Sequence, residues 1–280
     1  IGSGLVGSEM CIRDSVYSWL GADESLFAED FSELEYKGSW VTDESVLLEL
    51  ENRCEQKSAD GGLDFTYAVT IQNHMSYTEE KYGDYACPEV ETTAELSPEI
   101  QTAVNVYAEG IRDANAMLAE LTEFYSAQEE PVLLLFFGDH LPYLGDNRQG
   151  YIELGLPAAE IYGGEDPYAA YTAPFLLWCN EAAAQELDFE AAIEALELPG
   201  DGRISACYLG AAVLELCGRG EVSPWFGYLN EMRRELPIMH GGVFETADGA
   251  LTTELSGEQA QLLSKMRCWA YYKLRYGTVG

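Results

Sequence analysis

Asp139 and His140 follow an unbroken apolar run, Val132 to Phe137, with Gly138 between run and pair. A carboxylate and an imidazole delivered together suit a divalent metal, and manganese and zinc fit these donors about equally. Neighbouring side chains in a strand point to opposite faces. The two converge only once the chain has left the strand, a turn that Gly138 permits. A second run rich in β-branched and aromatic residues, Phe65 to Ile71, ends in Gln72, Asn73 and His74. Two runs that each end in a histidine make a stronger pattern than one, since a lone Asp-His pair is also ordinary loop polarity. Trp40 reads as packing at a helix start or as a substrate contact. His240 precedes Gly241-Gly242 after an apolar turn and reads as structural.

These residues need a scaffold, and the chain patterns one. Val132–Phe137 and Phe65–Ile71 have the length and composition of strands, the first buried on both faces. Thr42 or Asp43 can cap a helix carrying Val46, Leu47, Leu50 and Cys54, which Gly61-Gly62 ends. Residues 78–98 read as an acidic surface excursion. From Ile100 to Tyr125 apolar residues step by four and three, which predicts a long helix with one apolar stripe. Crossing from 65–71 to 131–137, that helix predicts a right-handed βαβ unit with parallel strands. A long loop covers 143–170, and Thr172–Cys179 reads as a third strand of the same sheet. Helices are expected over 181–198, 205–216, 224–236 and 258–276, with a hairpin at 241–253. In open α/β sheets, sites form beyond the carboxyl ends of the strands, where His74, Asp139 and His140 are expected to gather.

The 280 residues suffice for a sizeable core, and the formal net charge is −34. Such a balance excludes nucleic acid, whose phosphates need Lys and Arg, and opposes passive adhesion to anionic lipid. An anionic substrate would need local positive charge, most simply a metal. The seven Cys form no zinc-type spacing and read as small buried hydrophobes without a disulfide framework. No apolar run is long enough to span a membrane. Residues 1–15 lack periodicity and read as a non-native, adaptor-like segment. The remainder, 16–280, reads as one catalytic domain. The chain does not begin with Met, and it reads as part of a longer reading frame.

GDHLP after an apolar strand, with QNHMSY after the preceding one, resembles the lipoteichoic acid synthase-like sulfatases, phosphoglycerol transferases of the alkaline phosphatase superfamily. GSWVTDES before the first helix and IRDANAMLAEL in the crossover helix extend the similarity over roughly Val16 to Cys179. The resemblance implies an N-terminally truncated three-layer αβα fold, with a mostly parallel sheet and helices on both faces. It places a divalent metal, Mn2+, on Asp139 and His140, and substrate on His74. The threonine nucleophile and remaining ligands would lie upstream, so the chain alone is expected to be catalytically silent. Substrate would be a glycerophospholipid or polyglycerolphosphate. The setting would be the extracytoplasmic side of a bacterial cell membrane, reached through spans upstream. Hydrolysis of sulfate or phosphate esters, and a non-catalytic envelope-binding domain, are the alternatives. Ser76 replaces the family's usual Pro, and Asn115 an Asp in the crossover helix.

Overall fold

The computed structural model describes residues 22–56, 64–160 and 166–276, together with Tyr17. They fall into two units, residues up to 127 with 136–175, and residues 128–135 with 176–278. The whole 1–15 segment and the Gly61-Gly62 break lie outside the described residues.

The first unit opens with a tight hairpin, β1 (Tyr36–Lys37) and β2 (Trp40–Val41), paired antiparallel. Gly38 turns it at φ +63°, and a Cβ there would stand 2.4 Å from the Lys81 carbonyl oxygen. Glycine is thus required twice, for the left-handed backbone and for the close approach. Helix α1 (Asp43–Glu55) follows, with the Thr42 hydroxyl accepting from Ser45 N–H at 3.2 Å. Its Val46 and Leu47 are buried. Helix α2 (Pro98–Ser126) starts with Pro at its first position, where no donor is needed. Ile100 and Leu121 of the expected stripe are buried, but so are Ala103, Val106 and Met117 outside it, while Ile111 of the stripe is 37% exposed, so the packed face is rotated from the one expected.

Strand β3 (Leu133–Phe137) pairs with β4 (Phe175–Cys179). Asn180 N–H donates to Val132 O, and Gly138 N–H to Pro174 O, each at 3.1 Å, so the two strands run antiparallel. Three strand expectations change here. β3 is half-buried rather than buried on both faces, because β4 is its one ladder partner among the described residues. Residues 65–71 run extended, with a bridge at Val69 and no ladder among the described residues. Their alternate residues Phe65, Tyr67 and Val69 are exposed, so the β-rich composition sets an extended chain but not a ladder among the described residues. No parallel ladder joins 65–71 to 131–137 among the described strands. The 143–170 loop contains helix α3 (Gln149–Glu153) and short 3-10 turns.

In the second unit the expected helix over 181–198 is two, α4 (Glu181–Leu187) and α5 (Phe189–Ala195). Asp188 between them takes the left-handed conformation, φ +47°, which breaks the hydrogen-bond ladder. Helices α6 (Leu209–Leu216) and α7 (Pro224–Glu235) follow. The hairpin is a three-stranded antiparallel sheet, β5 (Ile238–His240), β6 (Val243–Glu245) and β7 (Leu251–Thr252). His240 lies opposite Val243 in its ladder. The last helix is α8 (Gly257–Tyr276). Tyr208, Ala211, Leu229, Met232 and Leu262 form this unit's core. Among the described cysteines, Cys207 and Cys268 are exposed rather than buried. No helix among the described residues is long and apolar enough to cross a membrane.

Candidate functional site

His74 sits in a turn tied down from several directions. Its N–H donates to Ile71 O at 3.0 Å. Just before it, the buried Gln72 side chain accepts from Asp43 N–H at 2.8 Å and donates to the Asp113 carboxylate. The Tyr77 hydroxyl donates to Asn73 O at 2.9 Å. Asn73 packs against Gly110 of α2 so closely that a Cβ there would lie 2.1 Å from Asn73 Oδ1. The His74 ring stacks on Trp40, with centroids 5.9 Å apart and planes 28° apart. Nδ1 of His74 faces Met75 O at 2.7 Å. A carbonyl oxygen can only accept, so Nδ1 carries the hydrogen and a neutral ring presents its Nε2 lone pair outward.

Beneath that stack lies Lys81, which the sequence reading passed over as part of an acidic loop. It is 5% exposed. Its ammonium donates to His74 O at 2.5 Å and lies 3.7 Å from the Trp40 centroid. The Tyr82 and Tyr77 rings stand 5.2 and 5.8 Å away. A buried ammonium facing aromatic rings gains cation–π energy, but loses more hydration than it regains. Burial pushes Lys81 down to about 8, with the Asp43 charge opposing. Asp43 opens α1 and is itself 2% exposed, with neither carboxylate oxygen hydrogen-bonded. A helix N-terminus favours negative charge. Burial outweighs it and, with Asp113 nearby, pushes Asp43 up to about 7.

Lys37 of β1 stakes the hairpin to α2. Its ammonium contacts Glu109 at 2.7 Å and Asp113 at 2.6 Å. Burial pulls Lys37 down, but its hydrogen bonds to Asp113 and Glu109 outweigh that and hold the amine above its ordinary range. Asn115, where an Asp is usual in the resembling family, is exposed. The inward-facing acids of this helix are Glu109 and Asp113.

Asp139 and His140 stand exposed just past β3. Asp139 Oδ1 accepts from His140 N–H at 2.9 Å, and Oδ2 lies 3.5 Å from His140 Nε2. His140 Nδ1 faces Leu141 O at 2.9 Å, so it too carries the ring hydrogen. In a neutral ring, the Nε2 lone pair then confronts a carboxylate oxygen. Two facing acceptors call for something positive between them, a proton or a metal cation, so this donor pair fits a metal as far as two ligands go. No group of three or more His, Cys, Asp or Glu gathers as a metal site among the described residues.

The loops bearing His74 and the Asp139-His140 pair share one apolar cluster. Tyr77 follows His74 by three residues, and Leu141 follows His140 directly. Both pack with Tyr82, Leu144 and Tyr151. Burial, with Tyr107, Tyr151 and Asp139 nearby, holds the Tyr77 hydroxyl far above its usual range. The structure thus pairs Asp139 with His140 and His74 with Trp40, and roots both pairs in the same packing. What sequence reasoning missed is the layer below. A lone Lys in TEEKYGDY, and an Asp at a helix start, carry no periodic signal that either is buried.

A fold and a site of this kind define a class. The sequence model of the Sulfatase family matches residues 10–218, most of the chain, and the chain belongs to that family. The match begins inside the 1–15 segment set aside above. Among individual proteins, the chain is 23% identical over 208 residues to a Rhizobium meliloti (strain 1021) protein named for cyclic beta-1,2-glucan modification. That alignment covers 74% of this chain and 29% of the relative. The structure resembles Streptococcus pyogenes phosphoglycerol transferase GacH, solved in complex with sn-glycerol-1-phosphate. The TM-score is 0.64 at 18% identity, over 96% of this chain and 59% of that one. This likeness bears out the α/β class. The chain spans less than two thirds of the length of either protein.

Proposed function

We propose that this chain belongs to a metal-dependent phosphoglycerol transferase of the bacterial cell envelope, working on its extracytoplasmic side. The observation that carries this reading is the Asp139-His140 pair. His140 Nδ1 is committed to Leu141 O, which leaves Nε2 and the Asp139 carboxylate facing one another. Support comes from membership of the Sulfatase family and from the fold likeness to a transferase that binds sn-glycerol-1-phosphate.

Asp139 Oδ2 and His140 Nε2 would hold the cation, Mn2+. When bound, the ion would neutralise charge on a phosphoryl oxygen, the main demand of phosphoryl transfer. His74 presents Nε2 to the substrate, and Trp40 keeps its ring in plane by stacking. The substrate would be a glycerophospholipid or a polyglycerolphosphate. Hydrolysis of a sulfate or phosphate ester is the second reading, favoured by the family match itself.

Calorimetric titration of the chain with MnCl2 tests the proposal. The unmodified chain should bind, and Asp139→Ala and His140→Ala should each weaken binding by tenfold or more. Glycerol 1-phosphate added with Mn2+ should then bind less well to His74→Ala. Equal Mn2+ binding by Asp139→Ala overturns the metal assignment. Binding of inorganic sulfate in preference to glycerol 1-phosphate would favour the hydrolase.

A further inference from the structure

Helix α8 inverts the charge balance of the chain. The sequence holds 49 acidic and 15 basic residues. Between Ala260 and Tyr276 there is no Asp or Glu, and Lys265, Arg267, Lys273 and Arg275 fall there. A helix of 20 residues is about 30 Å long. One face is fixed inward. Leu262 is buried in the core with Leu229 and Met232, and Leu263 and Met266 pack beside it. Trp269 stacks on Trp225, centroids 5.3 Å apart and planes 6° apart. The Tyr228 hydroxyl donates to Leu262 O.

Much of the remaining helix surface is open. Tyr271, Tyr272 and Tyr276 are 63%, 55% and 62% exposed, and Lys265, Arg267 and Arg275 are exposed among them. Stepping 100° per residue, Lys265 and Tyr276 fall toward the packed side and Tyr272 on a flank, while Arg267, Tyr271 and Arg275 form the face opposite Leu262, Met266 and Trp269. We propose that this face of α8 docks on an anionic lipid surface, lying in the plane of the headgroups.

Three physical points favour lipid over a protein partner. Tyrosine is an interfacial side chain, with an apolar ring and a wet hydroxyl. Lys and Arg lay their stems along apolar material and keep their charge at headgroup level. The described exposed face has no aliphatic centre, whereas a protein interface wants a dry core inside a polar rim. The acidic remainder of the chain opposes approach only within a Debye length of about 8–10 Å at working salt. Contact would be peripheral, since no described helix can cross a membrane. The inference stands whether or not Asp139 and His140 hold a metal.

Co-sedimentation with vesicles tests it, using phosphatidylglycerol mixed with phosphatidylcholine against phosphatidylcholine alone, at about 0.1 M NaCl. Each basic side chain near an anionic surface multiplies binding roughly fivefold. The chain should prefer phosphatidylglycerol vesicles by tenfold or more. The double variant Arg267→Glu/Arg275→Glu should lose that preference with its circular dichroism unchanged. Tyr271→Ser/Tyr272→Ser, which leaves the charge intact, should weaken binding and separate the aromatic contribution. Equal partitioning to both vesicles, or undiminished binding by the double charge variant, overturns the proposal. So does a dimer in sedimentation equilibrium that the same substitutions dissolve while vesicles are ignored.

Discussion

The Lys81 ammonium lies 3.7 Å from the Trp40 ring centroid while donating to the carbonyl of His74, the residue stacked on that ring. One buried cation therefore fixes both members of the pair. Lys81→Met keeps the stem and removes the charge. It should weaken glycerol 1-phosphate binding about tenfold, and a bulkier guanidinium in Lys81→Arg should not restore it. Trp40 emission should also change as wild-type Lys81 titrates near pH 8, and Lys81→Met should abolish that change. Unaltered binding and fluorescence would leave the cation with packing alone.

Asp43 makes stability depend on pH in a direction opposite to most carboxylates. Its folded value is about 7, against an ordinary value of 3.8. Between those limits the folded chain holds a proton that the unfolded chain has released, so stability falls as pH rises through the window. The loss is complete above about pH 7, and is on the order of 4 kcal/mol for a shift of this size. Asp43→Asn should remove it. Urea unfolding at pH 5 and pH 7.5 should show the variant gaining on the wild type at the higher pH. Lys81, pushed down to about 8, contributes a rise in stability only as pH climbs from there toward 10.5, outside this window.

Gly110→Ala should strike the site from behind. The added carbon would meet Asn73 Oδ1 at 2.1 Å and the Tyr82 hydroxyl at 2.8 Å. Overpacking of this kind costs about 1–3 kcal/mol, measurable as a lower urea midpoint. The strain enters next to His74, so substrate affinity should fall more than it does for a surface Gly→Ala change such as Gly210→Ala, where nothing lies within 4 Å.

Lys37→Met takes from Glu109, only 5% exposed at its side chain, the more buried of its two cations, Arg112 being the other. Removing one partner of a buried pair is costly, about 3 kcal/mol. The double variant Lys37→Met/Glu109→Gln should recover part of that loss. Additive losses in this pair of variants would show the ions to be independent.

Much of this architecture is legible in the chain. The four-three stepping from Ile100 to Tyr125 sets α2, and the apolar run before Gly138 sets β3, because periodicity is a direct consequence of burial. Asp139 and His140 are readable because they follow a strand. The reading of 65–71 as a strand of the β3 sheet finds no ladder among the described residues, because composition fixes an extended backbone and is silent about which neighbour it takes. The break at Asp188 escapes because a single left-handed residue carries no periodic signature. Lys81 and Asp43 are invisible for the same reason that they matter, since a buried charge looks like any surface charge until its surroundings are known.

Asn180 caps α4 and spans the start of β3 with one side chain. Its Oδ1 accepts from Ala183 N–H and from Val132 N–H, each at 3.0 Å, and its Nδ2 donates to Glu130 O at 2.8 Å. Two amides far apart in sequence, one at a strand start and one in a helix's first turn, thus share a single acceptor. Neither can be exposed to solvent deuterium by moving that oxygen without exposing the other. Their hydrogen-exchange protection should rise and fall together, so that Val132 and Ala183 report one opening event rather than two.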